Sequence, residues 1–226
     1  MLDGDKPVVV TGAMRASDDP QFDGPANLRD AVRVAAAPTM RAAGVVVSLA
    51  GTIEPADDVT KMHATSLDTF RSPNRGSLGR VGPDGVEGLR ARPARRHVTT
   101  DRAAERVHLI TATVAMGGGL LDAAIAAGAD GIVVAATGSG NTDPSLLAAA
   151  ERAMSAGIPV ALASRCPAGR ASAGYAFPGG GATWIRAGAL PVGELCALKA
   201  RVALALGLGA GLDRAGLTRL LADPRG

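Results

Sequence analysis

The chain has 226 residues, a formal net charge of +3 and 47% hydrophobic residues, a size that suits one large domain or two small ones. Aromatic residues make up only 2%, which excludes a stacking platform for single-stranded nucleic acid. No apolar run reaches transmembrane length, and the N-terminal MLDGDKP lacks the layout of a signal peptide. We therefore expect a cytoplasmic protein that does not contact membranes or nucleic acid.

The predicted elements alternate between strands and helices along the chain. A core without aromatic rings must be built from Ala, Val, Leu and Ile, a mixture typical of helices on a buried parallel sheet. Short apolar runs predict strands, and apolar residues at i, i+3, i+4 and i+7 predict helices. The predicted strands are 6–10, 44–47, 107–111, 132–136 and 159–163. The predicted helices are 24–37, 119–127, 144–156, 198–206 and 215–221.

Repeated strand–helix–strand units predict the α/β fold class. We expect two α/β units with largely parallel sheets, residues 1–94 and 105–226, joined by a linker at 95–104. The second unit is predicted to be a small Rossmann-like or flavodoxin-like domain. Ligands of such sheets bind beyond the carboxyl ends of the strands. This rule nominates the turns 11–15, 48–51, 137–141 and 164–166.

A segment rich in Gly, Pro, Arg and Ser, residues 66–98, predicts loops and short hairpin strands. It contains the tightest basic stretch, Arg90–Arg96. A nucleic-acid patch and a solvated linker both fit this stretch, and the linker is favoured because acidic residues follow and no reader motif flanks it. Cys166 and Cys196 lack CxxC spacing and a nearby histidine, so we interpret them as small buried apolar residues in a reducing compartment.

Neither a cofactor nor a metal ion is expected. The glycine run 117–119 precedes a predicted helix, but neither GxGxxG nor GxxxxGK[ST] fits there, so a tight turn is favoured over a phosphate site. Residues 178–181 are predicted to be a flexible loop. The three histidines have no carboxylates at metal-ligand spacing: His63, His97 and His108.

Two sets of motifs follow each other in a distinctive order. The first half contains Gly12–Arg15 (GAMR), Asp23-Gly24-Pro25, Asn27-Leu28, Asp58–Lys61 (DVTK), His63, Thr65, Phe70, Ser72-Pro73 and Gly76. The second half contains Gly128–Val133, Gly140-Asn141, Ser164-Arg165 and Lys199–Arg201. Together these motifs resemble the bacterial-type L-asparaginase family, over essentially the whole chain.

The resemblance implies an amidohydrolase that converts L-asparagine, and in some members glutamine, to the acid and ammonia. In the family a threonine hydroxyl attacks the amide carbon, and such a weak nucleophile needs a proton relay beside it. The relay comprises a second threonine, an aspartate and the lysine of DVTK, which corresponds to Lys61. Ala13 is implied to line the substrate pocket through its backbone. Asn141 is implied to reach the neighbouring subunit's site, which implies a homo-oligomer, a dimer or a tetramer.

The family's nucleophile motif, TGGTI, and its GTDT segment lie upstream of GAMR, where this sequence has only residues 1–11. We therefore expect a first domain that is incomplete at its N-terminus and a chain that is inactive alone. The alternative is a pseudoenzyme, a non-catalytic amino-acid-binding or assembly module on the same fold. Gly51-Thr52-Ile53 echoes the nucleophile motif, but it lies in the turn before DVTK, so Thr52 is not expected to be the nucleophile.

The incomplete sheet also has a predicted consequence for folding. A sheet without its opening strands exposes an unpaired edge and apolar surface. We expect the first half to be poorly soluble or molten, and residues 105–226 to be more self-sufficient.

Overall fold

The computed structural model describes residues 4–88, 90–91 and 96–222. These residues group into two compact units, one within residues 2–95 and the other within residues 96–226. Most of the basic stretch Arg90–Arg96 and the beginning of the predicted linker lie outside the described residues.

Among its described residues, the first unit contains a five-stranded sheet, a separate two-stranded ribbon and one α-helix. The sheet has the strand order β1-β2-β3-β6-β7, and β4 pairs with β5 to form the ribbon. The elements are β1 (Val8–Val10), α1 (Gly24–Ala36), β2 (Val45–Leu49), β3 (Thr52–Pro55), β4 (Thr60–Lys61), β5 (Phe70–Arg71), β6 (Gly79–Gly82) and β7 (Gly85–Glu87).

The strand directions of this sheet differ from the prediction. Only β1 and β2 are parallel, whereas β2–β3, β3–β6 and β6–β7 are antiparallel. The connections explain the difference: Ala50-Gly51 joins β2 to β3 and Pro83-Asp84 joins β6 to β7, and such short turns can only link antiparallel strands. The α/β class is confirmed, and the hairpin strands expected after residue 66 are present, but a largely parallel first sheet was the wrong expectation.

Helix α1 covers this sheet and fixes its small core. Pro25 occupies the first turn, where its missing N–H costs nothing, and the helix ends at Ala36, shortly before Pro38. Its buried face carries Ala31 and Val34. The core cluster consists of Val34, Met40, Val46, Ile53 and Leu78.

The second unit is built around a four-stranded sheet of order β11-β10-β9-β8, in which every pair of neighbouring strands is parallel. The central strands β9 and β10 are buried along their whole length, as expected of continuous apolar runs between two helical layers. The elements are β8 (Val107–Thr111), α2 (Gly119–Ala126), β9 (Gly131–Ala136), α3 (Pro144–Ser155), β10 (Val160–Ser164), α4 (Gly181–Ala187), β11 (Leu190–Pro191), α5 (Ala197–Gly209) and α6 (Arg214–Leu221).

Two segments of this unit differ in detail from the sequence-based expectations. Helix α4 begins at Gly181, at the end of the predicted flexible loop. Residues 96–104 contain no helix or strand, but Val98 is buried and Ala104 N donates to Ala205 O at 2.9 Å. The described part of the predicted linker therefore packs on the second unit. No helix among the described residues is long and apolar enough to cross a bilayer.

The first unit is expected to unfold at a lower urea concentration than the second. Its buried cluster holds five apolar side chains, whereas the second unit has larger apolar clusters on both faces of its sheet, and buried apolar area is the main favourable term in folding. Trp184, the only tryptophan, lies fully buried in the second unit. Its fluorescence should change at higher urea than the first part of the far-ultraviolet circular dichroism signal. Coincident transitions would contradict this expectation.

Candidate active site

The loop that contains Ala13 leaves the carboxyl end of β1 and is held by an aspartate from the start of α1. Thr11 Oγ1 donates to Ser48 O at 2.7 Å, which joins the ends of β1 and β2. The carboxylate of Asp23 accepts Met14 N at 3.1 Å and Arg15 N at 3.0 Å. Ala13 is exposed, and the backbone on both sides of it is fixed.

Asn27, one turn after Asp23, holds the other end of this loop. Its side chain is buried, with 3% exposure. Nδ2 donates to Gly12 O at 3.0 Å and to Asp23 Oδ2 at 2.8 Å, and Oδ1 accepts Ala50 N at 3.0 Å. A primary amide has two donors and one acceptor oxygen, so Asn27 uses all of these groups to join three segments: the Ala13 loop, α1 and the β2–β3 turn.

The charge of Asp23 is stabilised in this position. Burial raises the pKa of the Asp23 carboxyl, but the backbone N–H groups of Arg15 and Met14 and the amide of Asn27 lower it by more in total. The net pKa of Asp23 lies below its usual value. Asp23 therefore stays ionised, as an acceptor of several hydrogen bonds should.

Lys61 lies on the β4–β5 ribbon. It pairs with Phe70 across the ribbon, and its Nζ lies 5.9 Å from the centroid of the Phe70 ring, within the range of a cation–π contact. The side chain is exposed. At the far end of the ribbon, Thr69 Oγ1 accepts His63 N at 2.6 Å and donates to His63 O at 2.5 Å.

A buried carboxyl group lies near the base of the same ribbon. Glu54 in β3 is 2% exposed, and Ser72 Oγ donates to its Oε2 at 2.6 Å. Burial raises the pKa of Glu54, and the hydrogen bond from Ser72 together with the charge of Arg71 offsets only part of this rise. The folded protein therefore binds a proton at Glu54 more tightly than the unfolded chain does.

This shift predicts how stability depends on pH. The pKa of Glu54 is raised in the folded state. Such a shift gives stability that is fully present below the pKa of an unfolded glutamate, about 4.3, and is lost as pH rises through the folded pKa. Glu54→Gln keeps an acceptor for Ser72 and removes the titration. Thermal melts should show the parent losing stability relative to Glu54→Gln as pH rises from about 4. A difference that stays constant across this range would contradict the prediction.

Asn141 lies in the second unit, in the turn after β9. Thr137 N and Oγ1 donate to Asn141 O at 3.0 Å and 2.7 Å, and Asn141 N donates to Thr137 O at 3.0 Å. Gly140 adopts φ = +115°, where an L side chain would be strained. Asn141 Oδ1 is buried without a hydrogen-bond partner among the described residues, so the turn presents an unused acceptor.

Hydrogen bonds join this turn and the following Thr142 to the end of β10 and to the start of α4. Ser164 Oγ donates to Gly138 O at 2.6 Å. Thr142 N donates to Gly179 O at 2.9 Å, and the hydroxyl of Thr142 accepts Trp184 Nε1 at 2.9 Å. The position of Asn141 therefore depends on the packing of α4.

The other candidates have clear places in the fold. Thr52 begins β3, and its hydroxyl donates to Leu49 O at 2.9 Å within the hairpin turn. Cys166 is exposed and Cys196 is partly buried. Burial was the wrong expectation for Cys166, because it lies in the loop beyond β10, where its N–H donates to Ser164 Oγ at 3.0 Å. Within residues 4–88, 90–91 and 96–222, no three His, Cys, Asp or Glu side chains could together hold a metal ion.

The three residues implied by the motifs are thus placed on separate segments. Ala13 and Lys61 belong to the first unit, and no hydrogen bond or ring contact between described residues joins Lys61 to residues 11–15. Asn141 belongs to the second unit. The supporting residues Asp23 and Asn27 were part of the quoted motifs, and their i, i+4 spacing on one helix could have identified them as a pair.

Comparison with known proteins covers both units. The model of the asparaginase N-terminal domain matches residues 1–93, and that of the glutaminase/asparaginase C-terminal domain matches residues 106–221. A probable L-asparaginase of Deinococcus radiodurans is 38% identical over 225 residues, which cover 95% of this chain and 66% of that protein.

Other relatives are similar over a smaller part of their length. L-asparaginase 2 of Bacillus subtilis is 36% identical over 71% of this chain and 44% of its own. A subunit of the glutamyl-tRNA(Gln) amidotransferase of Pyrococcus furiosus is 33% identical over 90% of this chain and 48% of its own. The chain thus spans about half to two thirds of the length of these relatives. Both domain matches and the 38% identity lead to one conclusion: the chain belongs to the asparaginase family.

Proposed function

We propose that the chain is the lysine-bearing part of an amidohydrolase that converts L-asparagine and water to L-aspartate and ammonia. The observation that carries the proposal is the DVTK motif, whose lysine lies on an anchored ribbon, in a chain that is 38% identical over nearly its whole length to a probable L-asparaginase. Residues 1–94 would belong to the N-terminal domain, residues 105–226 would form the C-terminal domain, and 95–104 would link them.

In the proposed reaction a threonine hydroxyl from outside residues 1–226 attacks the carbon of the side-chain amide. The hydroxyl proton passes to a relay that includes Lys61, the relay returns a proton to the amide nitrogen as the C–N bond breaks, and ammonia leaves. Water then hydrolyses the acyl-enzyme to aspartate. An amine can both take and return a proton, as general acid–base catalysis requires.

Two further residues have proposed roles. The backbone around Ala13 would line the pocket, and the rigid hydrogen bonds of Asp23 and Asn27 support a preorganised loop there. Asn141 would reach the site of a neighbouring protomer in a homo-oligomer, and its unused buried acceptor supports a role in binding. We also propose a cytoplasmic location, although the name of one relative, from Haemophilus influenzae, includes the word periplasmic.

The test is ammonia release from L-asparagine, measured with two forms of the protein. The first form is the 226-residue chain, from which we expect no turnover. The second form includes the coding sequence upstream of Met1, from which we expect turnover that depends on the threonine of an encoded TGGTI segment. A folded extended form without asparagine or glutamine hydrolysis would contradict the proposal.

A second candidate is a non-catalytic binding or assembly protein. The observation in its favour is the similarity to glutamyl-tRNA(Gln) amidotransferase proteins that are named as subunits of larger enzymes. Ammonia release separates the candidates: the assembly protein would bind aspartate or asparagine, or a partner protein, in a calorimetric titration, and no extended form of it would release ammonia.

A further inference from the structure

The segment that carries Lys61 is closed at its base by a buried aspartate. Asp58 is 3% exposed. Its Oδ1 accepts Asn74 Nδ2 at 2.8 Å, and its Oδ2 accepts Arg75 N at 2.8 Å. Asp58 lies three residues before Lys61, and Asn74 lies three residues after the end of β5. These hydrogen bonds therefore join the two ends of the segment 58–75.

The ribbon itself is too short to hold a side chain in place. Strands β4 and β5 have two residues each and form only the pairs Thr60–Arg71 and Lys61–Phe70. They form a sheet of their own, apart from the five-stranded sheet, and an isolated two-stranded hairpin is marginally stable in water. Thr69 holds the far end of the ribbon through His63, and contacts at the base hold the end where Lys61 enters it.

Asp58 is the centre of those contacts. It is almost fully buried, and Arg75 Nε lies 3.8 Å from its Oδ2. Arg75 also pairs with Asp57, Nη2 to Oδ2 at 2.9 Å, and Ser72 is tied to Glu54. Buried hydrogen bonds to a carboxylate are costly to break, and an amide in its place has only one acceptor oxygen, so at least one of the donors loses its acceptor.

We propose that Asp58 is a positioning residue for Lys61, because its carboxylate fixes the register in which Lys61 lies opposite Phe70. The structural part of this inference is independent of the chemistry, while its catalytic meaning rests on the proposed function. The Asp58 carboxylate accepts hydrogen bonds from Asn74 and Arg75, so its role is to determine where the lysine amine is held.

The sequence allows a direct readout, because it contains only three lysines: Lys6, Lys61 and Lys199. Reductive methylation with 13C-formaldehyde keeps their positive charge and gives each amine a resolvable methyl signal. The Lys61 signal should be displaced from that of free dimethyl-lysine by the Phe70 ring, 5.9 Å away. In Asp58→Asn most of this displacement should be lost, with the Lys6 and Lys199 signals unchanged.

Asp68→Asn is the matched control. Asp68 lies in the loop between β4 and β5 and pairs with Arg71, and both side chains are largely exposed, 64% and 56%. The control removes the same charge from the same ribbon but breaks a surface pair, which contributes little. Its Lys61 signal should stay at the parent position.

Asn74→Ala is the second variant, in case Asp58→Asn does not fold. It removes one donor and keeps the carboxylate, and it should shift the Lys61 signal in the same direction by a smaller amount. An unchanged Lys61 signal in folded Asp58→Asn, or in Asn74→Ala, would overturn the proposal. An equal shift in Asp68→Asn would also overturn it, because charge alone would then explain the effect.

In a form with turnover, Asp58→Asn should lower kcat by about 10²-fold with a smaller change in KM, the cost expected for a misplaced catalytic group. The methyl signals can be measured without turnover, so the positioning role of Asp58 and the proposed function can each be refuted independently of the other. A shifted Lys61 signal without ammonia release in any form would refute only the proposed function. A normal signal in Asp58→Asn would refute only the positioning role.

Discussion

Trp184→Ala is expected to lower the free energy of unfolding of the second unit by about 3–5 kcal/mol, the range for deleting a buried tryptophan side chain. Trp184 has no exposed surface and belongs to the cluster between α2, α3 and the sheet. Its Nε1 donates to Thr142 Oγ1 at 2.9 Å. The substitution therefore creates a cavity and also removes the hydrogen bond to Thr142, the residue next to Asn141.

Trp184→Phe separates these two effects. Phenylalanine keeps one six-membered aromatic ring in the core but cannot donate the hydrogen bond to Thr142, so the expected loss of stability is about 1–2 kcal/mol. Tyr175→Ala is the control, because Tyr175 is 51% exposed and its removal should change stability by less than about 0.5 kcal/mol. Urea unfolding followed by far-ultraviolet circular dichroism gives all three values. A Trp184→Ala protein as stable as Tyr175→Ala would contradict the assignment of Trp184 to the core.

The parallel sheet of the second unit was predictable because its strands are buried on both faces. Strands β9 and β10 read as unbroken apolar runs, and the helical periodicity between them identifies the crossovers. Strand direction in the first sheet was not predictable from apolar runs alone. It follows from the length of the turns, such as Ala50-Gly51, and a pattern of alternating elements does not show which strands become neighbours.

Helix α4 illustrates a second limit of prediction from sequence. It begins in a run of glycines, Gly179–Gly181, which favours a loop by local propensity. The structure shows why the last of these glycines is needed: a Cβ on Gly181 would overlap with the backbone oxygen of Ser172. Close packing against another backbone segment, rather than flexibility, explains this glycine, and such a contact cannot be read from neighbouring residues.

The residues of the candidate site also divide into those that the sequence nominates and those that only the folded structure reveals. Motif order nominates Lys61, Ala13 and Asn141 as candidate site residues, and the roles proposed for them rest on the resemblance. The residues that hold them were harder to predict. Glu54 and Asp58 are acidic residues in a polar stretch, and sequence alone favours exposed side chains there. Their partners Ser72 and Asn74 are distant in sequence, so only the folded ribbon shows that these carboxyl groups are buried and bonded.

Lys61→Met is expected to lower kcat for ammonia release by about 10²–10⁴-fold in a form of the protein that has turnover, the contribution typical of a general acid–base group. KM should change less, because the proposed role of Lys61 is proton transfer rather than substrate binding.

Lys61→Arg is the more discriminating variant. It keeps a positive charge that can stack on Phe70 but cannot give up a proton near neutral pH, so it should be nearly as inactive as Lys61→Met. Substantial activity in Lys61→Arg would show that charge alone suffices and would contradict the relay role. Lys6→Met and Thr52→Ala should retain the parent rate, since Lys6 is an exposed lysine outside the ribbon and the Thr52 hydroxyl is bonded within a turn.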